Sequence, residues 1–569
     1  MAGAQIHYEL FIRKAVGGAW TLDMATEDRG LAVKSAEEMM KAGKVVAVRV
    51  NKETLDPETR EFRSVSILTL GAAEPAKKAQ PERENEPLCF TPQDLYTAHA
   101  RERIGRLLDN WLDRRSATPF ELLHRPDLVE ELESSGTDLQ HAIQKIAIPE
   151  AQARGKSVHE LMRTFQALTE RAIERILKDA RKGNLPDVDK EGFAKAAERV
   201  SKEPERTYLL GAGVAASIAP GRNWSEKVLR LLDLADAAPT FGPPRGLALS
   251  VIEQPLAEIL GSRAGLDDLI GKDLDLGVRL AAMSRLAAAG AVEALMKIEP
   301  MVAKIMPPQT EATERLAKWL ATEDFQAVRV AIAKRVLRDL TGPRRLKPND
   351  PVAEIEVMRA LAMALTAAAD SLVPLDDVQA AFVTRSRSLL TADFVEGYLS
   401  RDRSARDEVQ SLVWLVENVI GAANKRQAGR YLAGAVAGMK FEKEFRNGPD
   451  APGLKLEALA GLQQAVARSG LAVEDYGPLQ AKLGDVGGMV EADSKVVAVI
   501  AKAQTSPALR LLVLLRMAAG QIAPLGPAAD RARVEALKLI RLDETRNDLA
   551  NVPERMGQIR DLMAQIKAA

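Results

Sequence analysis

A chain of 569 residues with 79 basic and 79 acidic side chains carries no formal net charge, which excludes a global field drawing it to nucleic acid, anionic membrane or a polyanionic substrate. A single cysteine, Cys89, excludes an intramolecular disulfide and a multi-cysteine zinc centre, and fits a reducing cytoplasm. The chain is 46% apolar but only 4% aromatic, so Ala and Leu must build the core, which favours closely packed helices over sheet.

The first 71 residues differ from all that follows. Ile6, Tyr8, Leu10 and Ile12 alternate with His7, Glu9, Phe11 and Arg13 as in a strand with one buried face. Gly17-Gly18 allows a reversal into a second strand carrying Trp20, Leu22 and Met24. A helix over 28–41 places Ala32, Ala36, Met39 and Met40 on one side and stops at Gly43. Val46, Val48 and Val50 mark a third strand, 56–59 a turn, and Val65 and Ile67 a fourth strand. The expected module, 1–71, is a ββαββ domain: a four-stranded antiparallel sheet with one helix on one face and the other face free for contact. Residues 72–90, rich in Ala, Glu, Lys, Pro and Gln, predict a flexible linker.

Beyond Phe90 only helices are expected, so the chain reads as predominantly α. Thr91-Pro92-Gln93-Asp94 and Thr118-Pro119-Phe120-Glu121 combine a capping hydroxyl, a proline at the first helical position and an acid at the third. Residues 157–183 carry the longest pattern, with Leu161, Phe165, Leu168, Ala172, Ile176 and Ala180 spaced by three or four and Gly183 as the stop. Pro and Gly breaks follow, among them Gly342-Pro343, Pro374, Gly487-Gly488 and Pro507. The two best boundaries, 241–246 and 448–453, divide the array into helical regions 91–241, 246–448 and 453–569. Stacked hairpins of the α-solenoid type and irregular helical bundles both satisfy the pattern, since no fixed period repeats.

Candidate chemistry is sparse. His159-Glu160 lacks the histidine that a zinc helix needs at position 163, where Arg stands. His7, His99, His124 and His141 are scattered. Gly211-Ala212-Gly213-Val214-Ala215-Ala216 has dinucleotide-type spacing, but no strand precedes it and Pro220 ends its helix early, so close helix packing is the better account. No catalytic, cofactor or metal set emerges. Two basic stretches are candidate interaction patches: Arg101, Arg103, Arg106, Trp111, Arg114 and Arg115 on an amphipathic segment, and Arg344, Arg345 and Lys347 in a loop. Arg385-Ser386-Arg387-Ser388 raises phosphorylation as a minor reading.

These features predict a cytoplasmic, non-enzymatic interaction or regulatory scaffold that binds partner proteins through helical surfaces and the tethered small domain. One rival is an enzyme or ligand-binding protein with an interhelical site near residues 253–263 or around His124 and His141. Another is a nucleic-acid-associated protein using its local arginine patches.

Overall fold

The computed structural model describes residues 6–14, 20–55, 62–71, 87–369, 371–399, 403–550 and 553–568. The expected turns at Gly17-Gly18 and 56–59, and most of the linker, lie outside them. The chain forms two compact units, Met1–Leu88 and Cys89–Ala569.

In the small unit, β1 (Ile6–Arg13), β2 (Thr21–Thr26), α1 (Arg29–Lys41), β3 (Ala47–Leu55) and β4 (Phe62–Gly71) follow the ββαββ order. All neighbouring strands run antiparallel in the order β2-β1-β3-β4. Asp28 starts α1 by accepting from the Gly30 and Leu31 amides at 2.7 and 3.2 Å. Ala32 and Ala36 of α1 then pack on Leu10, Ile12, Val48 and Val50. Strand alternation sends Phe11, Arg13, Arg49, Asn51 and Glu53 to the opposite, helix-free face. Each edge strand carries one extra residue, Asp23 in β2 and Ile67 in β4. Such bulges twist an edge away from strand-to-strand pairing.

The second unit is helical throughout, and the whole chain is 72% helix. Its pivot is the helix Gly242–Gly261, which packs against Phe193–Val200, Arg206–Ile218, Trp224–Asp236, Arg263–Ile270 and Gln326–Thr341. Leu247, Val251, Ile252, Leu256 and Ile259 cover its sides, and a helix apolar on several sides belongs inside. The stretch 241–246 therefore opens the central helix. Pro243 and Pro244 sit in its first turn, where backbone N–H groups have no partner within the helix. One apolar core, from Phe120 to Leu562, continues across both 241–246 and 448–453. A smaller core gathers Leu108, Trp111, Leu112, Leu128 and Ile176.

The long helix spans Val158–Lys182, buries Leu161, Phe165, Leu168, Ala172, Ile173 and Ile176, and ends on left-handed Gly183 at φ 67°. Gly487-Gly488, expected as a break, instead lies inside the helix Val473–Ser494. The glycines let that helix approach Pro524 and Pro527 so closely that a β-carbon at either position would overlap a proline ring. Gly211 and Gly213 likewise sit mid-helix, against His124 and Pro186, in keeping with packing rather than dinucleotide binding.

Inside the helical unit, buried or half-buried cations repeatedly end on carbonyls at helix C-termini. Arg335 donates to Gly261 and Ser262 at 2.9 and 2.7 Å, and Arg385 to Gly342 and Arg344 at 3.1 and 2.6 Å. Lys425 reaches Val416 and Ser469, each at 2.8 Å, and Lys455 reaches Gly448 at 2.7 Å. A cation there satisfies orphan carbonyls and the negative end of the helix dipole together. Much of the balanced charge is thus spent joining helices.

Candidate functional site

The densest set of buried ionisable groups centres on the short helix Pro119–Leu122. Its capping box is reciprocal: the Thr118 hydroxyl accepts from the Glu121 amide, and the Glu121 carboxylate accepts from the Thr118 amide, both at 3.1 Å. That arrangement fixes a fully buried carboxylate, which takes Lys227 Nζ at 2.7 Å and Arg125 Nη1 at 2.9 Å. Lys227 also donates to the Ser116 carbonyl at 2.5 Å. On the other side, Glu258 of the central helix accepts from the Phe120 amide at 2.7 Å and from Arg101 Nε at 2.6 Å. The Phe120 carbonyl accepts from His124 Nδ1 at 2.7 Å. The imidazole stacks on Tyr208 with ring centroids 5.5 Å apart, meets Tyr96 edge-on at 5.2 Å, and points Nε2 at Gly211. Arg175 covers Tyr208 at 4.3 Å and pairs with Glu205 at 2.8 Å.

Burial dominates the electrostatics. It pushes the Glu258 carboxyl up and the Lys227 ammonium down. It also lowers His124 to about 4, against its hydrogen bond to Phe120 and assisted by the charges of Arg101 and Arg175. Hydrogen bonds and ion pairs within this group brace five helices and the chain between them. The residues expected for an interhelical site are only partly united here: Glu258 and His124 meet through the backbone of Phe120, whereas His141 is exposed.

This geometry predicts a pH response. The folded value for His124 lies below the ordinary value of 6.5, so the unfolded chain takes up the proton first. Stability present above pH 6.5 is lost as pH falls towards about 4, with a slope of up to about 1.4 kcal/mol per pH unit. A His124→Asn chain should lack this part of the slope in thermal melts between pH 4 and 7; identical slopes would remove histidine as the cause.

The first basic stretch runs through the helices Ala98–Leu107 and Asp109–Asp113 and into the turn after them, which carries Arg114 and Arg115. Arg101 is buried on Glu258, and Trp111 is only 2% exposed. Arg103 faces Glu150 at 3.2 Å, Arg106 faces Glu102 at 3.8 Å and Arg114 faces Asp138 at 3.8 Å. Arg115 lies over Trp111 at 4.0 Å and pairs with Glu131. The segment therefore presents paired charges rather than one basic stripe.

The second stretch is pinned from beneath. Glu354 accepts from the Lys347 amide at 2.7 Å, while Arg385 holds the Gly342 and Arg344 carbonyls. Lys347 pairs with Asp275 at 2.5 Å and Arg345 lies over Phe394 at 4.6 Å, leaving the Arg344 side chain exposed. Ser386 is fully buried and accepts from the Ile420 amide at 2.9 Å, which removes it as a phosphorylation acceptor in the folded chain.

A third group was not singled out from sequence. On the outer face of the small sheet, the guanidinium carbons of Arg13 and Arg49 lie 4.2 and 4.8 Å from the centroid of the same Trp20 ring. Arg49 also lies 5.7 Å from Phe11. Phe11 and Arg49 are direct cross-strand partners, so the sheet register sets this contact. The signal was in the alternation: Phe11 and Arg13 have opposite parity to Leu10 and Ile12, as Arg49 does to Val48 and Val50.

No family model, curated protein or solved structure matches the chain. Its surfaces are therefore weighed on their own chemistry. Among the described residues no three His, Cys, Asp or Glu side chains are placed to hold a metal ion, and no helix is long and apolar enough to cross a membrane.

Proposed function

We propose that the chain is an interaction scaffold, in which a cross-braced helical unit and the outer face of the small sheet hold partner proteins. The observation that carries this reading is the contrast between the two units. In the helical unit, cations at 227, 335, 385, 425 and 455 hold neighbouring helix ends or buried carboxylate together. On the small sheet, Arg13, Arg49, Phe11 and Trp20 gather on the face that α1 leaves uncovered. Rigid support plus a polar-aromatic face suits recognition, because aromatic and arginine side chains dominate interface energetics. A linker over 72–90 would raise the effective concentration of one surface near a partner held by the other.

The test is quantitative co-purification with the full chain as bait, eluted across a salt series with and without nuclease. Stoichiometric retention of a defined protein after nuclease supports the scaffold. Retention that disappears with nuclease, or no retained protein, rejects it.

A further inference from the structure

We infer that the packed helices Val496–Ala501 and Pro527–Leu539 dock an acidic amphipathic helix of a partner protein. This deepens the scaffold reading and rests on it.

Charge is the first observation. Over 495–502 and 531–542 six cations stand against the single carboxylate of Glu535, in a chain whose totals cancel. Two of the six are spent locally: Arg531 donates to the Gly488 carbonyl at 2.9 Å and pairs with Glu491, and Lys538 pairs with Glu535 at 2.6 Å. Lys495, Lys502, Arg533 and Arg541 are exposed and form no ion pair and no side-chain hydrogen bond among the described residues. The stretch 101–115 differs, because each of its arginines has a carboxylate of its own.

The second observation is the position of the aliphatic side chains. On the shorter helix Val497 is buried, whereas Ala498 and Val499 are exposed, with Lys495 and Lys502 one turn to either side. On the longer helix Ala532, Ala536 and Leu539 are buried, whereas Val534 and Leu537, one turn apart, are 52% and 45% exposed beside Arg533 and Lys538. The turn beyond carries Arg541 and the exposed Leu542. Each helix thus shows an apolar stripe edged by cations, the complement of a helix whose apolar stripe is edged by acids. Arg531 and the close approach at Gly488 hold the longer helix in place, so little ordering is needed on binding.

Other occupants fit less well. Two copies of this surface would bring like charges together. The exposed Asp530 and Glu535 interrupt the cations, and aliphatic side chains stand between them, which opposes a continuous polyanion. No Trp, Tyr or Phe follows Tyr476, so the surface has no aromatic anchor of the kind that seats a helix in a bilayer surface.

The experiment measures fluorescence anisotropy of a labelled helical peptide, with leucine at i, i+3, i+4 and i+7 and glutamate flanking that stripe, against the full chain. The comparison ligands are a scrambled peptide of equal composition, the same peptide with lysine for glutamate, phosphatidylcholine vesicles with and without phosphatidylserine, and a short oligothymidylate. The acidic amphipathic peptide should bind roughly tenfold or more tightly than the scrambled one, and raised salt should weaken it. Leu537→Gln should weaken binding by about tenfold through lost apolar contact. Arg533→Glu should weaken it by about fivefold and reduce its salt dependence. Arg344→Gln, at an exposed arginine elsewhere, should leave it unchanged. Unaltered circular dichroism and melting establish that the variants fold.

Equal binding of the acidic and scrambled peptides, or indifference to both Leu537→Gln and Arg533→Glu, overturns the site. Equal binding of the lysine peptide overturns the charge argument and the acidic partner with it. Phosphatidylserine vesicles that displace the peptide overturn the assignment in favour of an anionic bilayer, and tighter, Arg533-dependent oligothymidylate binding overturns it in favour of nucleic acid. A chain that still captures its protein partner while ignoring the peptide loses this site alone; loss of both removes the scaffold reading as well.

Discussion

Lys227→Met should destabilise the packing of the Pro119–Leu122 and Trp224–Asp236 helices by about 3–5 kcal/mol, the usual result of leaving one member of a buried ion pair without its partner. The Lys227 side chain is 2% exposed and that of Glu121 is fully buried, so water cannot replace the lost ammonium without opening the structure. The substitution also leaves the Ser116 carbonyl without its Lys227 donor. Arg125 still reaches Glu121, which sets the cost below that of an isolated carboxylate. Hydrogen exchange is the suitable measurement, because a chain of this size need not unfold in one step and local opening is what the pair controls. Protection of amides in 118–125 and 224–236 should fall by at least about a hundredfold, with much smaller changes near the C-terminus. A decrease of less than about tenfold in both segments would show that the pair contributes little. The double variant Lys227→Met/Glu121→Leu should be less destabilised than the two single effects added together, since each single change strands the other partner.

Gly484→Val should lower the melting midpoint, whereas Gly461→Ala should raise it. Both glycines lie inside helices, so intrinsic propensity favours each replacement, by up to about 1 kcal/mol for alanine. Their surroundings differ. A β-carbon at Gly461 meets open space, but one at Gly484 would overlap the Leu525 carbonyl oxygen. That carbonyl belongs to backbone held by Gln463, whose amide donates to Leu525 at 3.0 Å and whose oxygen accepts from the Leu525 amide at 2.7 Å. The helix must therefore shift as a unit or break these bonds, at a cost of about 1–3 kcal/mol or more. Parallel calorimetry of the two full-length variants decides the matter. A Gly484→Val chain that melts no lower than wild type would refute the close approach.

The elements visible in the sequence are those set by nearest neighbours along the chain. Alternation around Leu10 and Val48, the Thr118 capping box, and the stripe from Leu161 to Ile176 ending at Gly183 each combine a local pattern with a local stop. Gly487-Gly488 misled because glycine disfavours an isolated helix but permits one that lies against Pro524 and Pro527; its reason to be there is in another segment. The stretch 241–246 poses the same problem, since Pro-Pro marks either a loop or a first helical turn and only the apolar run that follows chooses between them. The Arg101–Glu258 pair joins residues separated by 157 positions, so spacing within the arginine stretch carries no trace of its burial. Arg49 was hidden differently. Its strand was legible, but the two rings beside it come from β1 and from Trp20 just before β2.

The use of lysine as a bracket between helices gives the folded chain an unequal amine chemistry. Lys227 and Lys455 are 1% and 8% exposed, with their ammonium groups turned inward onto backbone oxygens. An acylating reagent should reach solvent-facing lysines such as Lys190 and Lys538 long before these two. Peptide mass spectrometry would then distinguish a chain that has loosened between the Pro119–Leu122 and Trp224–Asp236 helices from one that has loosened between Met439–Asn447 and Pro452–Arg468. Each hidden amine is a built-in record of the seam it closes.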